Sequence, residues 1–178
     1  ERPKFNVEIR KVNSSYWRYF KQHYYLDLPM PPAAEYFIGT VAGELVCHLA
    51  ACPSFHTGYY RLTRLVVMPE WQGAGVGTKF LEWVSEYHKA GNGRCGKELP
   101  CMFHTSHPQL IGYLNASKKW VLKSRQLFGR DKRRSGASLA KSALKSGSSI
   151  INSGGGFGGH FRAVQGFKYI GEKSSYIS

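Results

Sequence analysis

The stretch RLVVMPEWQGAGVG, residues 64–77, constrains this chain more than any other. Leu65 to Met68 is a β-branched and bulky apolar run that reads as a buried strand, and Pro69 stops it. Glycines at 73, 75 and 77 then make a loop with almost no side chains. Beyond them Val76, Phe80, Val84 and Tyr87 or His88 recur at helical spacing, which predicts an amphipathic helix to about Lys89. Strand, bare loop and helix in that order aim several backbone N–H groups and the positive end of a helix dipole at one point. That point suits a pyrophosphate.

The elements around this unit follow from patterning. Phe5 to Val12 alternates as a strand, and Ser14-Ser15 offers an N-cap for an aromatic-rich helix from about Tyr16 to Tyr25, ended by the prolines at 29–32. Tyr36 to Val41 and Leu45 to Ala51 read as two strands joined by a short hairpin turn at Ala42-Gly43-Glu44. A third strand follows from Gly58 to Met68. After the glycine-loop helix and the turn-rich AGNGRCG, residues 99–107 are expected as a buried strand, and residues 108–117 as a short helix with Pro108 in its first turn. The order is β, α, β, β, β, α, β, α, with a closing strand or strand pair in residues 160–171.

Between the last helix and that closing strand the composition shifts. Lys118 to Lys145 holds ten lysines and arginines against one acid, Asp131, and residues 135–159 are mostly Ser, Gly, Ala and Lys. A basic, Gly/Ser-rich insertion at about 118–159 is expected within a single domain spanning 1–178. With 25 basic and 11 acidic residues the net charge is +14, so a polyanionic partner is the first suspicion. No apolar run approaches the roughly 20 residues that span a bilayer, and the polar opening from Glu1 does not read as a signal peptide. Cys47, Cys52, Cys95 and Cys101 lack zinc-knuckle spacing, so free thiols in a reducing cytoplasm, bacterial or phage-infected, are expected and no metal is assigned.

Three phosphate-binding solutions compete for the glycine loop. A Walker A loop needs Gly-Lys-Ser/Thr, whereas Gly77-Thr78-Lys79 has the side chains in the other order. A Rossmann turn needs G-x-G-x-x-G, and here the spacing is G-x-G-x-G. Gln72-Gly73-Ala74-Gly75-Val76-Gly77, preceded by LVVMPEW, does match Q/R-x-x-G-x-G/A, and it resembles the acetyl-CoA motif of the GNAT N-acetyltransferases. GFKYIG at 166–171 resembles that superfamily's Gly-Phe before the last strand, and the element order resembles its fold. The resemblance covers roughly residues 36–115 and 160–171. It implies an α/β (α+β) fold: a mixed, mostly antiparallel twisted sheet flanked by helices, with a splayed cofactor cleft.

The resemblance further implies that acetyl-CoA is the cosubstrate. Its pantetheine arm would pair with Leu65, Val66, Val67 and Met68, the N–H of Val67 would polarise the thioester carbonyl, and Gln72, Gly73, Ala74, Gly75, Val76, Gly77 and Thr78 would hold the pyrophosphate. Asn115 resembles the family's cofactor-facing asparagine, although its offset from the preceding strand is long. In the histone-modifying branch a glutamate on the third strand serves as base, and counting back from Gln72 that position is Arg61. Arginine cannot accept a proton, so the carry-over fails there, and Arg61 suits instead a phosphate or carboxylate on the acceptor.

Substitute acids and bases must come from elsewhere. His104 and His107, on or just past the strand expected to splay from the cleft, and Tyr113 on the next helix are the catalytic candidates. His23, Tyr24 and Tyr25 fall where the acceptor wall is built, and an aromatic cluster there can stack on a ring. The basic segment 118–145 makes nucleic acid the expected partner and an amine on a modified DNA or RNA base the first acceptor. A protein amine or an anionic small-molecule amine is the alternative acceptor. A non-catalytic nucleic-acid-binding module is the alternative of another class.

Overall fold

The computed structural model describes residues 4–31, 33–54, 56–126 and 163–172. Seven strands form one sheet: β1 (Glu8–Val12), β2 (Glu35–Val41), β3 (Glu44–Ser54), β4 (Tyr59–Val67), β5 (Cys101–Thr105), β6 (Trp120–Gln126) and β7 (Val164–Tyr169). Their spatial order is β1-β2-β3-β4-β5-β7-β6, so the last strand in the chain slots between β5 and β6. Every pair is antiparallel except β4 with β5, which run parallel. A parallel pair needs a crossover, and helix α1 (Val76–Lys89) supplies it. Helix α2 (Pro108–Ala116) joins β5 to β6.

The expected β2–β3 hairpin closes through Ala42 and Gly43 alone, both at positive φ, 49° and 81°. Two consecutive left-handed residues turn the chain with the hand that twisted strands require. Helix α1 buries Val76, Phe80, Leu81, Val84, Ser85 and His88, so of the two alternatives for the last helical contact it is His88 that turns inward. These residues pack against Phe37, Leu49, Tyr60, Leu62, Cys101 and Phe103 to make the main core, and Leu114 of α2 joins them on the same face of the sheet.

Two expectations change. Residues 16–25 do not form one helix but two short 3₁₀ turns, Ser14–Tyr19 and Lys21–His23. Aromatic residues are mediocre helix formers, and in a 3₁₀ turn residues three apart eclipse, which brings Trp17 and Phe20 together onto His48 of β3. Residues 120–126, within the segment expected as a basic insertion from about 118, are strand β6, with Trp120 buried. Residues 127–162 of that segment lie outside the described residues.

At the far end of β2 a buried carboxylate ties three elements together. Glu35, 1% exposed, accepts on Oε1 from Lys11 Nζ at 2.6 Å and from the backbone N–H of Arg94 at 3.0 Å. Its Oε2 lies 3.1 Å from His88 Nε2, and His88 Nδ1 lies 2.8 Å from the Val84 carbonyl. Burial pushes the Glu35 pKa up, but the donors from Lys11, Arg94 and His88 outweigh it and hold the carboxyl below its ordinary value. The C-terminal end of α1, the 91–96 turn and β1 are thus pinned to β2.

Candidate active site

Strand β4 pairs with β5 only through Tyr60↔Cys101, Arg61↔Met102 and Leu62↔Phe103, while β5 continues along β7 to Thr105. Beyond Leu62 the two parallel strands part, and a cleft opens. Its β4 wall is shaped by a bulge. Ala50 faces Thr63 but His48 faces Val66, so Arg64 and Leu65 together oppose Leu49, and Arg64 adopts φ 56°.

The extra residue inverts the strand. Before the bulge Tyr60 donates its N–H toward β5, to the Pro100 carbonyl at 2.9 Å, so even-numbered N–H groups face that side. After it Met68 donates toward β3, to the Val46 carbonyl at 2.8 Å, so Leu65 and Val67 turn their backbone groups to the cleft. Side chains switch as well: Tyr60 and Leu62 lie in the α1-side core, whereas Val66 packs with Trp17, Phe20 and Ile38 on the opposite face. Gln72 reaches back along the cleft edge, its Nε2 donating to the Val67 carbonyl at 3.1 Å.

The glycine loop closes the end of the cleft. Gly73 and Gly75 both sit at φ 80°, and Gly75 is the N-cap of α1 with no side-chain acceptor for the first helical N–H groups. A Cβ on Gly77 would come within 3.1 Å of a Val67 methyl, so the bare residue lets the helix start press against β4. Thr78 turns its hydroxyl back to the Gly75 carbonyl at 3.0 Å. An anion fits here, at the uncapped helix end and beside the free edge of β4.

The three catalytic candidates are not gathered at one point. His104 points to the sheet face away from α1, beside Arg61, with its ring against Gly166 of β7; a Cβ on Gly166 would lie 2.8 Å from His104 Nε2 and would also meet Ser124 Oγ. Burial and the Arg61 charge push the His104 pKa down to about 4, and its Nδ1 is buried without a partner among the described residues. Tyr113 stands on the α1 side instead, where its hydroxyl donates to Glu82 Oε1 at 2.6 Å. Burial, and then Glu82, raise its pKa. His107 is exposed at the N-cap of α2. Asn115 Nδ2 donates to the Ile111 carbonyl at 3.0 Å and to Gln165 of β7 at 3.3 Å.

Arg61 is exposed on the same face as His104, between Cys52 of β3 and Met102 of β5 in register, with Lys168 of β7 beside Met102. At the strand positions sharing this face between Cys52 and Lys168, the described residues include no carboxylate. His23 is exposed with its ring Nε2 3.2 Å from the Gln22 side chain. Tyr24 is half-buried against Trp17, and Tyr25, 61% exposed, lies 4.9 Å from Tyr24 between ring centroids.

Sequence reasoning missed Arg64 and His48. The Arg64 guanidinium donates to the Pro29 carbonyl at 2.6 Å and lies 5.6 Å from the Tyr24 ring, and its own carbonyl meets His48 Nδ1 at 3.0 Å. Burial lowers the His48 pKa to about 4. The signal was hidden because Tyr60, Leu62, Arg64 and Val66 are all buried at even positions, which reads as an unbroken strand.

A family model described as Acetyltransferase (GNAT) family matches residues 6–109. Similar solved structures include the ribosomal-protein-S18-alanine N-acetyltransferase of Escherichia coli, at 11% identity and TM-score 0.57, covering 97% of this chain and 99% of that one. A putative streptothricin acetyltransferase of Bacillus anthracis, in complex with acetyl coenzyme A, is 11% identical with TM-score 0.55, covering 95% and 99%. The N-acetylglutamate synthase of Neisseria gonorrhoeae, complexed with coenzyme A and N-acetyl-glutamate, is 14% identical with TM-score 0.54, covering 96% of this chain and 36% of that one. A search of curated protein sequences finds no match.

Proposed function

The chain belongs to the GNAT acetyltransferase family, and we propose that it moves an acetyl group from acetyl-CoA to an amine whose carrier presents an anionic group to Arg61, first of all a modified base of DNA or RNA. The observation that carries this reading is the face beside the cleft, where Arg61 and Lys168 stand with no carboxylate at the neighbouring strand positions. The lysines and arginines of residues 118–145 extend the same charge in the sequence and favour a polyanion over a small acceptor. An anionic small-molecule amine is the second reading, favoured by Arg61 taken by itself.

On the donor side, Leu65, Val66, Val67 and Met68 offer a strand edge to the pantetheine arm, with the Val67 N–H for the thioester carbonyl. The N–H groups of residues 72–78 suit the pyrophosphate, and Asn115, which donates to Gln165 of β7, is the candidate from α2. Acetyl-CoA supplies an activated acyl carbon. The protein's own task is to present a neutral amine to it.

An aliphatic amine is almost wholly protonated at pH 7, and Arg61 replaces the carboxylate that would take its proton. A positive neighbour disfavours the ammonium form, so Arg61 and Lys168 lower the pKa of an amine bound between them. His104 is neutral at that pH and accepts a proton through water on the same face. Tyr113, on the α1 side of the sheet, holds its proton and is the candidate donor to the departing sulfur. His23, Tyr24 and Tyr25 form the acceptor's stacking wall.

Mass spectrometry of nucleic acid, protein and small metabolites after incubation with isotope-labelled acetyl-CoA tests the proposal. Label on a nucleic-acid base is expected. Label confined to anionic metabolites transfers the reading to the second acceptor class, and label confined to protein or polyamines refutes both.

A further inference from the structure

We infer that His48 and Arg64 form a latch that holds the β4 bulge and ties it to the acceptor loop, making both of them positioning residues for the donor. The inference rests on the reading of β4 as the acetyl-CoA edge. A non-glycine residue at φ 56° is strained, so Arg64 stays there only because its surroundings fix it. Two of its polar ends are fixed. Its carbonyl, which the bulge removes from the regular ladder, meets His48 Nδ1 at 3.0 Å, and its guanidinium donates to Thr63 Oγ1 at 3.0 Å and to the Pro29 carbonyl at 2.6 Å.

A carbonyl can only accept, so the imidazole carries its proton on Nδ1, and its Nε2 is left without a partner among the described residues, inside a cage of Trp17, Phe20 and Tyr36. A buried polar atom left bare is costly, and an apolar side chain would fill this cage at lower cost. The one side-chain hydrogen bond that His48 makes among the described residues goes to the bulge. The same bulge turns the Val67 N–H from β3 to the cleft. Through Pro29 the latch also reaches residues 24–31, so the order of the acceptor wall and the direction of the Val67 N–H depend on the same arginine.

Two variants separate a positioning role from a structural one. His48→Phe keeps the aromatic volume and removes the donor, whereas His48→Asn places an amide N–H near the position of Nδ1. Each is measured for amide hydrogen exchange at Met68, which needs no ligand, for acetyl-CoA affinity by calorimetry, and for melting temperature. His48→Phe is expected to raise Met68 exchange and to weaken acetyl-CoA binding, each by about tenfold, and His48→Asn to restore both toward wild type whatever its melting temperature. The latch is overturned if His48→Phe leaves Met68 exchange within about twofold of wild type, if it leaves the affinity of a wild type that does bind acetyl-CoA within about twofold, or if His48→Asn loses as much as His48→Phe. A rise in Met68 exchange in His48→Phe, with a wild-type protein that binds no acetyl-CoA, would refute the donor reading while leaving the latch in place.

Discussion

Glu35 offers a test in which two substitutions at one atom cluster should part widely. Its carboxylate receives three donors, from Lys11, the Arg94 backbone and His88. Glu35→Leu removes every acceptor. Lys11 is 44% exposed and turns to water, but the Arg94 N–H and the fully buried His88 ring lose their partner. Stranding the remaining members of a buried ionic cluster costs about 3–5 kcal/mol, and in a domain of this size that lowers Tm by about 10 °C. Glu35→Gln behaves differently. Its carbonyl still accepts from Lys11 and Arg94, and its amide faces His88 Nε2, which accepts once the imidazole keeps its proton on Nδ1 for the Val84 carbonyl. Every hydrogen bond survives and only the charge attraction is lost, so the expected cost is about 1 kcal/mol, or about 3 °C. Thermal melts followed by circular dichroism at pH 7 measure both. The pH dependence adds a sign check. Because the Glu35 pKa is depressed in the fold, its contribution is present above the ordinary value of 4.5 and is lost as pH falls through the lower folded value. The gap between wild type and Glu35→Gln therefore narrows below pH 4.5. Equal losses in the two variants, or a gap that widens in acid, would refute the assignment of donors and acceptors.

Other expectations follow from the same geometry. His48 is buried and neutral with its pKa held at about 4, so it contributes stability that is complete above pH 6.5 and lost as pH falls toward 4; His48→Phe should flatten that slope by about 3 kcal/mol over the interval in urea titrations. Arg61→Glu should lower kcat/KM for an anionic acceptor by about thirtyfold, roughly the 2 kcal/mol of a lost charge-assisted hydrogen bond, and leave acetyl-CoA affinity unchanged. Gly75→Ala forces a Cβ into a left-handed N-cap at φ 80°, and is expected to destabilise by about 1 kcal/mol and to weaken acetyl-CoA binding in calorimetry. Gly166→Ala pushes a methyl into the His104 ring and Ser124, and transfer should fall while acetyl-CoA affinity holds.

What the sequence disclosed was local. The period of Val76, Phe80 and Val84, the Ala42-Gly43 turn and the spacing of Gly73, Gly75 and Gly77 each express a rule that operates within a few residues, and α1, the hairpin and the uncapped helix start follow them. Strand β6 escaped because Lys123, Ser124 and Arg125 disguise it, polar residues being what an edge strand carries against unwanted pairing. The bulge escaped for a subtler reason: the pattern of buried residues in β4 stays regular while the face it points to changes. Glu35 with His88, and His48 with Arg64, are pairs separated by 53 and 16 residues. No local rule connects them. The separation of Tyr113 from His104 by the thickness of the sheet was likewise invisible without the strand register.

The seat of β7 bears on how the molecule comes into being on the ribosome. Strands β1 to β5 emerge in an order that lets each dock on its neighbour, but β6 is synthesised long before β7, the strand that must lie between it and β5. A nascent chain that stops short of residue 164 therefore carries β6 with no ladder to join and leaves Phe103 and His104 of β5 unpaired on their outer side. Phe167 and Tyr169 join the core only after β7 has been made. A premature stop anywhere in residues 127–163 thus costs two strands at once, and translation through β7 is a precondition for the complete sheet.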